Sequence, residues 1–495
     1  MSMNRRDFLK GTAWMGLAAS AAGCQLSRLN LGQGGSMQNF VYKKLAGKRL
    51  KIGFVGIGGR GSGAVHRVSM IPGCDIVALC DLRQVQVDEN LQWLRDNKKP
   101  TDQIKTYVGA EAYKELCDFG DCDIVYCATP WALHQPVALR ALNGGKLPLV
   151  EVSSSLTVDG CWELVEASEK WRIPCMQLEN CVYGDIELLE LNMARQGLFG
   201  KITNVEGSYI HDLRCLVKTG YTMECDWRYD ENMAHRGDRY PTHGLVPLCM
   251  TLGINRGDRL DYLVAMGNHS SNINYEHVRE EWLDDDDPRK KDPPAAMADM
   301  NKTLIKTVNG IMIELSHDVS SPRPYTRKML ISGTKGIMGG YPFRCTFEEQ
   351  CMAVHDHTSP SGYRSKVPLT HEWFSDEKAK AIKEKYAHPL IRDVQPMAAK
   401  VGGHGGMDFI MDLRWAYCLQ NGMPLDMDVY DLAATSSICE LTERSDRAGS
   451  KVMSIPDFTR GNWKNVKPWD VVTIDLKKMG LDDGKVVRDN AALNV

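Results

Sequence analysis

The feature that most constrains this chain is a glycine-rich turn placed directly after a short apolar segment. Residues 50–55 are predicted to form a buried strand, and Gly56, Gly58 and Gly61 follow in a G-x-G-x-x-G pattern. A helical pattern begins near Ser62. In such a unit the first glycine permits a tight turn, the second lets the backbone approach a pyrophosphate, and the third lets the helix pack on the strand. The pattern therefore predicts a dinucleotide-binding turn.

An acidic residue supports this interpretation and indicates which dinucleotide is bound. The next predicted strand ends at Asp81, twenty positions after Gly61. A carboxylate at that spacing can accept hydrogen bonds from the ribose hydroxyls of NAD. Arg83 lies close enough in sequence to accommodate a 2′-phosphate, so the pattern favours NAD over NADP without excluding the latter. The alternative is a glycine turn in an α/β domain that binds no nucleotide.

The order of predicted elements indicates an α/β protein with two domains. Strand and helix patterns alternate up to about residue 180, which predicts a doubly wound (Rossmann) parallel sheet over residues 49–180. Residues 181–495 are predicted to form an α+β domain with a largely antiparallel open sheet, because longer strand-like segments follow one another there. Residues 345–400 are expected to be irregular, and two helices are expected near 405–420 and 427–445.

The first 24 residues have the three parts of an export signal. Arg5 and Arg6 form a twin-arginine region, a weakly apolar stretch covers residues 11–22, and the segment ends in Ala21-Ala-Gly-Cys24. This pattern predicts export to the periplasm, with Cys24 as a lipidated N-terminus, and ordinary cleavage after Ala21 is the alternative. Residues 25–48 are polar and are predicted to be a tether.

Composition narrows the classes of function. The net charge of −3 gives no reason to expect a nucleic-acid partner, and no later apolar run is long enough to cross a membrane. Contact with a membrane is therefore expected only through a lipid on Cys24. The sixteen cysteines lack C-x-x-C spacing and the histidines are dispersed, so neither a disulfide framework nor a metal site is predicted.

Export and a dinucleotide site together indicate how the cofactor is used. Nicotinamide cofactors are cytoplasmic, so an exported enzyme that released NADH at each turnover would lose its supply. The twin-arginine route carries folded proteins, so a cofactor could be loaded before export. We therefore expect tightly bound NAD, one per subunit, that is restored in each catalytic cycle.

Further candidate residues follow the later strands of the parallel sheet. Thr129-Pro130-Trp131 follows the fourth strand, Glu151-Val152 the fifth and Glu179-Asn180 the sixth. The carboxyl ends of parallel strands form the edge at which ligands bind. An ordinary helix start after Pro130 and solvated glutamates are the alternatives.

These motifs resemble the Gfo/Idh/MocA-like oxidoreductase family. Many members have Glu-Lys-Pro where this chain has Glu151-Val152, and their lysine transfers a proton. A valine cannot do so, which argues against ordinary alcohol oxidation. A longer series of motifs resembles glycoside hydrolase family 109, whose members are NAD-dependent and typed by α-N-acetylgalactosaminidase: Leu178-Glu-Asn180, Tyr183, Tyr209-Ile-His-Asp-Leu-Arg214, Trp227-Arg228, Tyr240-Pro-Thr-His-Gly244, Ile254-Asn-Arg-Gly257, Arg323-Pro-Tyr325 and Gly402-Gly-His-Gly-Gly-Met-Asp408.

The resemblance implies a role for individual residues. Besides the glycines, it implies NAD contacts at Arg60, Gly61, Asp81, Trp131, Ala132, Leu133, His134, Glu151, Val152 and Asn180. It implies substrate contacts at Tyr209, Arg228, Tyr240, Pro241, Thr242, His243 and Tyr325, and a catalytic group of Tyr183, Tyr240, His243 and Tyr325. The chain departs from the family at Gly237-Asp238-Arg239, where a Gly-Asn pair is expected, which leaves acceptor specificity open.

The candidate residues favour a redox-assisted cleavage of glycosides. The motifs supply tyrosines and a histidine but no evident carboxylate pair of the kind that direct hydrolysis uses. The expected route is NAD-mediated oxidation at carbon 3, proton removal at carbon 2, elimination at carbon 1, water addition and re-reduction. His243 is the expected base because imidazole titrates near neutral pH, whereas a tyrosine would need a lowered pKa.

The expected substrate is a terminal (N-acetyl)hexosaminide, most simply an α-N-acetylgalactosaminide. A periplasmic NAD(P)-dependent sugar oxidoreductase of the Gfo/Idh/MocA type is the main alternative, and a catalytically silent sugar-binding lipoprotein is a third. The C-terminal sheet is a candidate surface for a homo-oligomer.

Overall fold

The computed structural model describes most of the chain apart from its two ends and several internal segments. The described residues are 35–214, 226–272, 274, 284–286, 288–291, 294–348, 354–358, 364–368, 372–468 and 470–481. The predicted export signal, including Cys24, lies outside the described residues.

The first sheet has six parallel strands in the order β3-β2-β1-β4-β5-β6 within the described residues. The strands are β1 (Leu50–Val55), β2 (Cys74–Asp81), β3 (Lys105–Val108), β4 (Ile124–Cys127), β5 (Leu147–Val150) and β6 (Met176–Gln177). The helices that connect them are α1 (Gly59–Val68), α2 (Gln84–Asp96), α3 (Tyr113–Asp118), α4 (Trp131–Asn143) and α5 (Val158–Trp171). β4 and β5 are buried throughout, as expected for strands covered on both faces. The predicted doubly wound sheet is confirmed.

The second sheet begins after helix α6 (Asp185–Arg195) and is mostly antiparallel. Its strand order is β13-β12-β11-β7-β10-β9-β8-β16. The strands are β7 (Ile202–Ile210), β8 (Leu260–Gly267), β9 (Asn301–Thr307), β10 (Met312–Asp318), β11 (Leu330–Gly333), β12 (Gly336–Gly340), β13 (Phe343–Phe347) and β16 (Met453–Ser454). Helices α7 (Asp226–Ala234) and α8 (Thr242–Leu252) lie between β7 and β8, and the strands β14 (Val354–Thr358) and β15 (Arg364–Pro368) form a separate pair.

One pairing in this sheet differs from the expected antiparallel pattern. β10 runs parallel to β7, whereas the other pairs in the sheet are antiparallel. A parallel pair requires a crossover, and helices α7 and α8 with strands β8 and β9 supply it. On β9 buried and exposed residues alternate strictly, so one face of the sheet is open at this strand.

Residues 345–400 contain regular structure that the sequence analysis did not predict. Helices α9 (Asp376–Tyr386) and α10 (Pro389–Val401) occupy its second half, so the expectation of an irregular region is wrong there. Ser375 Oγ accepts a hydrogen bond from Lys378 N at 3.3 Å, and Pro389 begins α10, so both helices carry ordinary N-terminal signals.

The last helices return to the first sheet and help to form its edge. They are α11 (Met407–Gln420), α12 (Val429–Ser436) and α13 (Ile438–Arg447), so the single helix expected over 427–445 is two consecutive helices. Phe409 and Trp415 of α11 share one hydrophobic core with β1. Met37 and Leu45 are buried in the same core, so residues 35–48 of the predicted tether pack against the protein. None of the described helices is long and apolar enough to span a membrane.

Candidate functional site

The glycine-rich turn has the close backbone packing that a dinucleotide requires. Gly56 has φ +79°. A Cβ on Gly56 would lie 2.8 Å from the carbonyl oxygen of Ala128, and one on Gly61 would lie 1.8 Å from that of Gly56. Both glycines therefore allow backbone contacts that any side chain would block. The N-terminus of α1 follows at Gly59 and presents the free N–H groups that bind phosphates.

Asp81 lies beside this turn in the position expected for binding ribose. Its Oδ2 accepts a hydrogen bond from Ile57 N at 2.8 Å, and its Oδ1 accepts one from Arg83 N at 3.0 Å. These bonds fix the carboxylate against the turn, and each oxygen keeps a lone pair for a hydroxyl group. The cradle and the carboxylate together fit NAD.

A network of charged side chains joins the turn to helix α11. Arg60 Nε donates to Glu151 Oε1 at 2.8 Å, and Arg60 Nη1 donates to Asp408 Oδ2 at 2.5 Å. Asn180 Nδ2 donates to Asp408 Oδ1 at 2.6 Å, and His404 Nδ1 lies 2.9 Å from Asp408 Oδ2. Arg60 therefore acts as a cross-link at the cofactor edge, and Asp408, which the sequence analysis gave no role, holds three of its neighbours.

The segment from Trp131 to His134 begins helix α4 at the same edge. Trp131 is buried, Ala132 and Leu133 are exposed, and His134 is buried with its ring nitrogens 2.8 Å from Ser153 O and 2.7 Å from Thr129 O. Burial lowers the pKa of His134, and a neutral imidazole has one N–H, so only one of these contacts is a hydrogen bond at a time. His134 therefore contacts both the loop after β4, at Thr129, and the loop after β5, at Ser153.

Four rings from separate elements form an aromatic cluster next to Trp131. Tyr209 is central, with ring centroids 5.0 Å from Tyr240, 5.0 Å from His243 and 6.3 Å from Tyr325. The ring centroids of Trp131 and Tyr240 are 5.5 Å apart. The structure thus brings three of the four predicted catalytic residues together at the end of the cofactor edge.

His243 is paired with a buried carboxylate. Its Nδ1 lies 2.7 Å from Glu179 Oε1, which is an ion-pair distance, although the angle falls outside that of a good hydrogen bond. Burial acts to raise the pKa of Glu179, but the charge of His243 and hydrogen bonds outweigh it, and the net pKa is lowered. Since Nδ1 faces Glu179, Nε2 is the nitrogen available to a ligand. The sequence predicts only that Glu179 lies at the ligand-binding edge of the sheet, and its pairing with His243 is a finding of the structure.

The phenols in the cluster favour their protonated forms. Burial raises the pKa of Tyr209 to about 12 and raises those of Tyr240 and Tyr325 as well. Arg327 Nη1 donates to the Tyr325 hydroxyl at 2.9 Å. In the free protein these tyrosines are therefore protonated and able to donate hydrogen bonds, and the lowered pKa that a tyrosine base would need is absent from these three residues.

Tyr183 differs from the other predicted catalytic residues. It is fully buried, and its hydroxyl donates to Asp426 Oδ2 at 2.9 Å. Arg414 Nη2 donates to Asp426 Oδ1 at 2.6 Å. Tyr183 therefore belongs to a buried ion-pair network, and none of its described ring contacts joins it to the aromatic cluster.

The remaining predicted substrate and cofactor residues lie around the cluster. Arg228 stacks on Trp131 at 4.9 Å and on Trp227 at 4.6 Å. Pro241 and Thr242 begin helix α8 and are buried, and Val152 is buried after β5.

One group near the cluster has metal-ligating atoms. Ligand atoms of Glu179, Cys181 and His243 all lie within 4.8 Å of one another. Arg327 Nη1 donates to Cys181 Sγ at 3.2 Å, and this positive charge opposes a second cation. We therefore assign no metal to this group, and the expectation of metal-independent chemistry stays a prediction.

Comparisons with known proteins identify the family. The sequence model of the family described as glycosyl hydrolase 109, C-terminal domain, matches residues 183–465 of this chain. Glycosyl hydrolase family 109 protein 1 of Bacteroides thetaiotaomicron is 42% identical over 419 residues, covering 84% of this chain and 86% of that protein. A family 109 protein of Shewanella pealeana is 39% identical over 483 residues, covering 95% of this chain and 100% of that protein.

Solved structures of dehydrogenases share the fold. Levoglucosan dehydrogenase in complex with NADH and levoglucosan superposes with a TM-score of 0.59 at 16% identity, covering 82% of this chain and 100% of that chain. Scyllo-inositol dehydrogenase from Lactobacillus casei superposes with a TM-score of 0.53 at 13% identity, covering 82% and 99%. The motif series, the matched domain and the identity over most of the chain place this protein in glycosyl hydrolase family 109.

Proposed function

We propose that the chain is an NAD-dependent glycosidase that removes terminal (N-acetyl)hexosaminides, most simply α-N-acetylgalactosaminides. The observation that carries the proposal is the junction of two features. The first feature is the glycine-rich turn with Asp81, and the second is the aromatic cluster that contains His243. Trp131 lies between them and contacts Tyr240 of the cluster.

The residues fit NAD as the cofactor. The turn from Gly56 to Gly61 would hold the pyrophosphate, Asp81 the adenine ribose, and the Arg60 network the remaining edge. NAD supplies, when bound, the removal and return of a hydride at carbon 3 of the sugar. Tight binding, one per subunit, is part of the proposal because it accounts for export without a nicotinamide supply.

His243 is the proposed base for the carbon 2 proton. A ketone at carbon 3 acidifies that hydrogen, and Nε2 of His243 would accept it while Glu179 stabilises the resulting imidazolium. Tyr240 and Tyr325 are protonated, so either hydroxyl can donate a hydrogen bond to the oxygen that leaves carbon 1. Water would add to the resulting alkene before the hydride returns.

The side chain at position 152 favours the glycosidase over the sugar oxidoreductase. Val152 is buried at the end of β5 and carries no proton to transfer. No lysine lines the described cavity next to the cluster. A dehydrogenase of the Gfo/Idh/MocA type would need another proton relay here.

We further propose that the protein is exported by the twin-arginine route and anchored through Cys24. A homo-oligomer through the open face of the second sheet belongs to the same proposal. The alternating burial on β9 supports it, since that face is covered by no other described element.

The experiment is a panel of α- and β-linked nitrophenyl glycosides with purified protein and no added NAD. Cleavage, together with dinucleotide released on denaturation, is the expected result. Turnover in deuterated water should also place deuterium on carbon 2 of the released sugar. Accumulation of oxidised sugar would indicate the oxidoreductase instead, and activity that needs stoichiometric NAD would contradict the proposal.

A further inference from the structure

A cavity next to the aromatic cluster has a wall that is rich in hydrogen-bond donors. Trp131, Tyr209 and Tyr240 form part of its lining. Its other polar lining residues are Arg228, Asn232, Arg239 and His317. The cavity is therefore continuous with the proposed sugar site, and three of these four residues have no role so far.

Arg239 carries a buried donor without a partner. It is 3% exposed, and its Nη2 donates to Glu231 Oε2 at 2.5 Å. Its Nε is buried and has no hydrogen-bond acceptor in the described part of the chain. A buried N–H that stays unpaired is costly, so this atom favours a ligand that brings an acceptor.

Arg228 adds a second guanidinium to the same wall. It stacks on Trp131 and Trp227, and no described carboxylate pairs with it. Asn232, which is 5% exposed, adds an amide. Two guanidinium groups thus line a partly buried space, where an oxyanion would bind more strongly than in water.

The acidic groups near the cavity are already engaged. Glu231 pairs with Arg239, and Asp238 Oδ1 accepts a hydrogen bond from Tyr240 N at 2.9 Å. His317 Nε2 lies 4.0 Å from the same Asp238 oxygen. The two arginines are matched in number by Glu231 and Asp238, and Arg228 is the guanidinium without a described carboxylate partner.

We propose that this cavity is a subsite for an anionic substituent of the glycan, a carboxylate or a sulfate ester, held by Arg239 and Arg228. The inference rests on the proposed function for the sugar that carries the substituent. The subsite would be a specificity determinant for the substituent that the sugar carries. The position of Arg239 directly before Tyr240 places the anion beside the reacting ring.

Binding of monosaccharides to the protein as purified tests the subsite without requiring turnover. The probes are N-acetylgalactosamine, its 6-sulfate, and galacturonic acid, titrated by calorimetry at low and at high salt. We expect at least one anionic probe to bind about tenfold more tightly than the neutral sugar, with the advantage reduced by salt. The sulfate and uronate arms tell which anion is preferred. Equal or weaker binding of both anionic probes at low salt would overturn the inference.

Variants of Arg239 assign the effect to the named atom. Arg239→Gln and Arg239→Lys should each reduce the ratio of anionic to neutral affinity by about tenfold, because both remove the Nε donor in its present position. The matched control is Arg444→Gln, which alters an exposed arginine whose described ion-pair partner is Glu440 of its own helix. If Arg239→Gln fails to fold because Glu231 is left unpaired, Arg239→Gln with Glu231→Gln removes both charges together. An unchanged ratio in every folded Arg239 variant would overturn the inference.

The two proposals fail in different ways. Selective binding of an anionic sugar with no glycoside cleaved would support the subsite and refute the glycosidase. Cleavage of neutral glycosides with no anionic preference in binding would refute the subsite alone.

Discussion

Two regions meet at one edge of the first sheet, and they differ in how completely their polar groups are paired. In the glycine-turn region, Arg60 binds both Glu151 and Asp408, and Asn180 takes the other oxygen of Asp408. Asp81 is fixed by two backbone N–H groups. Each of these charges has a partner before any ligand arrives.

In the aromatic region the polar groups are only partly paired. His243 has one carboxylate partner through Nδ1, and the second oxygen of that carboxylate, Glu179 Oε2, has no described hydrogen bond. Arg228 and Arg239 Nε offer donors that nothing in the described chain accepts. An unpaired buried donor or acceptor is costly in a folded protein, so such groups beside a cavity are candidates for binding a ligand.

The difference indicates that one region of the site binds the cofactor and the other binds the substrate. An ion-pair network in which Arg60 and Asp408 are already bound suits a cofactor that stays, because the cradle keeps its shape when the neighbouring substrate changes. A region with unpaired donors and one positioned base suits a substrate that enters and leaves. The following changes test this division, starting with the largest expected effect.

Replacing the base should remove turnover and leave the cofactor region intact. In His243→Ala we expect a loss on the order of 10²–10⁴ in rate, with bound NAD retained in the folded protein. Because the variant leaves Glu179 buried without its partner, His243→Gln provides a folded comparison that keeps a donor there. His269→Ala, at an exposed histidine, is the control. A folded His243 variant with activity near that of the parent would exclude His243 as base.

Breaking the cofactor network should act on stability and NAD retention together. Asp408→Ala removes one of the two carboxylate partners of Arg60 and the hydrogen-bond acceptor of Asn180. We therefore expect the free energy of unfolding to fall by roughly 3 kcal/mol. Urea titration and the dinucleotide content of purified protein measure the two effects. The control is Asp75→Asn, whose partner Arg49 is exposed, with an expected loss below about 1 kcal/mol. Full NAD content in a destabilised variant would separate the network from cofactor binding.

Removing the charge of Glu179 should change the pH dependence of the rate. The lowered pKa of Glu179 keeps it ionised at neutral pH, so Glu179→Gln removes a negative charge that stabilises protonated His243. We expect kcat to fall roughly 10- to 100-fold and the acid limb of the pH–rate profile to move to lower pH. A lower kcat with an unmoved profile would indicate a structural role only.

The smallest expected effect concerns Glu190, a buried carboxyl group with no described cationic partner. Arg327 pairs with Glu187, and its Nε donates to that carboxylate at 2.7 Å. The pKa of Glu190 is raised from 4.5 to about 8, mainly by burial and to a smaller extent by the negative charge of Glu187. A raised folded-state pKa contributes stability that is full below pH 4.5 and lost as the pH rises through about 8.

Glu190→Gln should therefore stabilise the protein more at pH 8.5 than at pH 5, by roughly 1–3 kcal/mol. Melting temperatures at the two pH values measure this difference. Glu384→Gln, at an exposed position of α9, serves as the control. A stabilisation that does not change with pH would show that Glu190 is ionised in the folded protein.

The sequence predicts the fold well where one local pattern decides the outcome. The strand at 50–55 and the helix near 405–420 lie where periodicity and turn residues indicated them. The parallel pair β7–β10 could not be predicted, since it depends on which strands meet after a crossover. Helices α9 and α10 were missed although Ser375 and Pro389 are usable start signals, because the high charge of the segment was interpreted as irregular structure.

The candidate site is predictable only in part for the same physical reason. Tyr240 lies two residues before helix α8 and His243 lies in its first turn, so their proximity follows from local chain geometry. Their partners lie far away in sequence: Glu179 precedes His243 by dozens of residues, and Asp408 reaches Arg60 from the other end of the chain. Whether a tyrosine such as Tyr183 faces a ligand or a buried carboxylate depends on such distant pairing.

The most direct test of the account is turnover by protein stripped of its dinucleotide and then reloaded. The account predicts that stripped protein cleaves no nitrophenyl glycoside, that one equivalent of NAD per subunit restores cleavage, and that the NAD is recovered oxidised after many turnovers. Full activity in the stripped protein, or stoichiometric conversion of NAD to NADH, would contradict it.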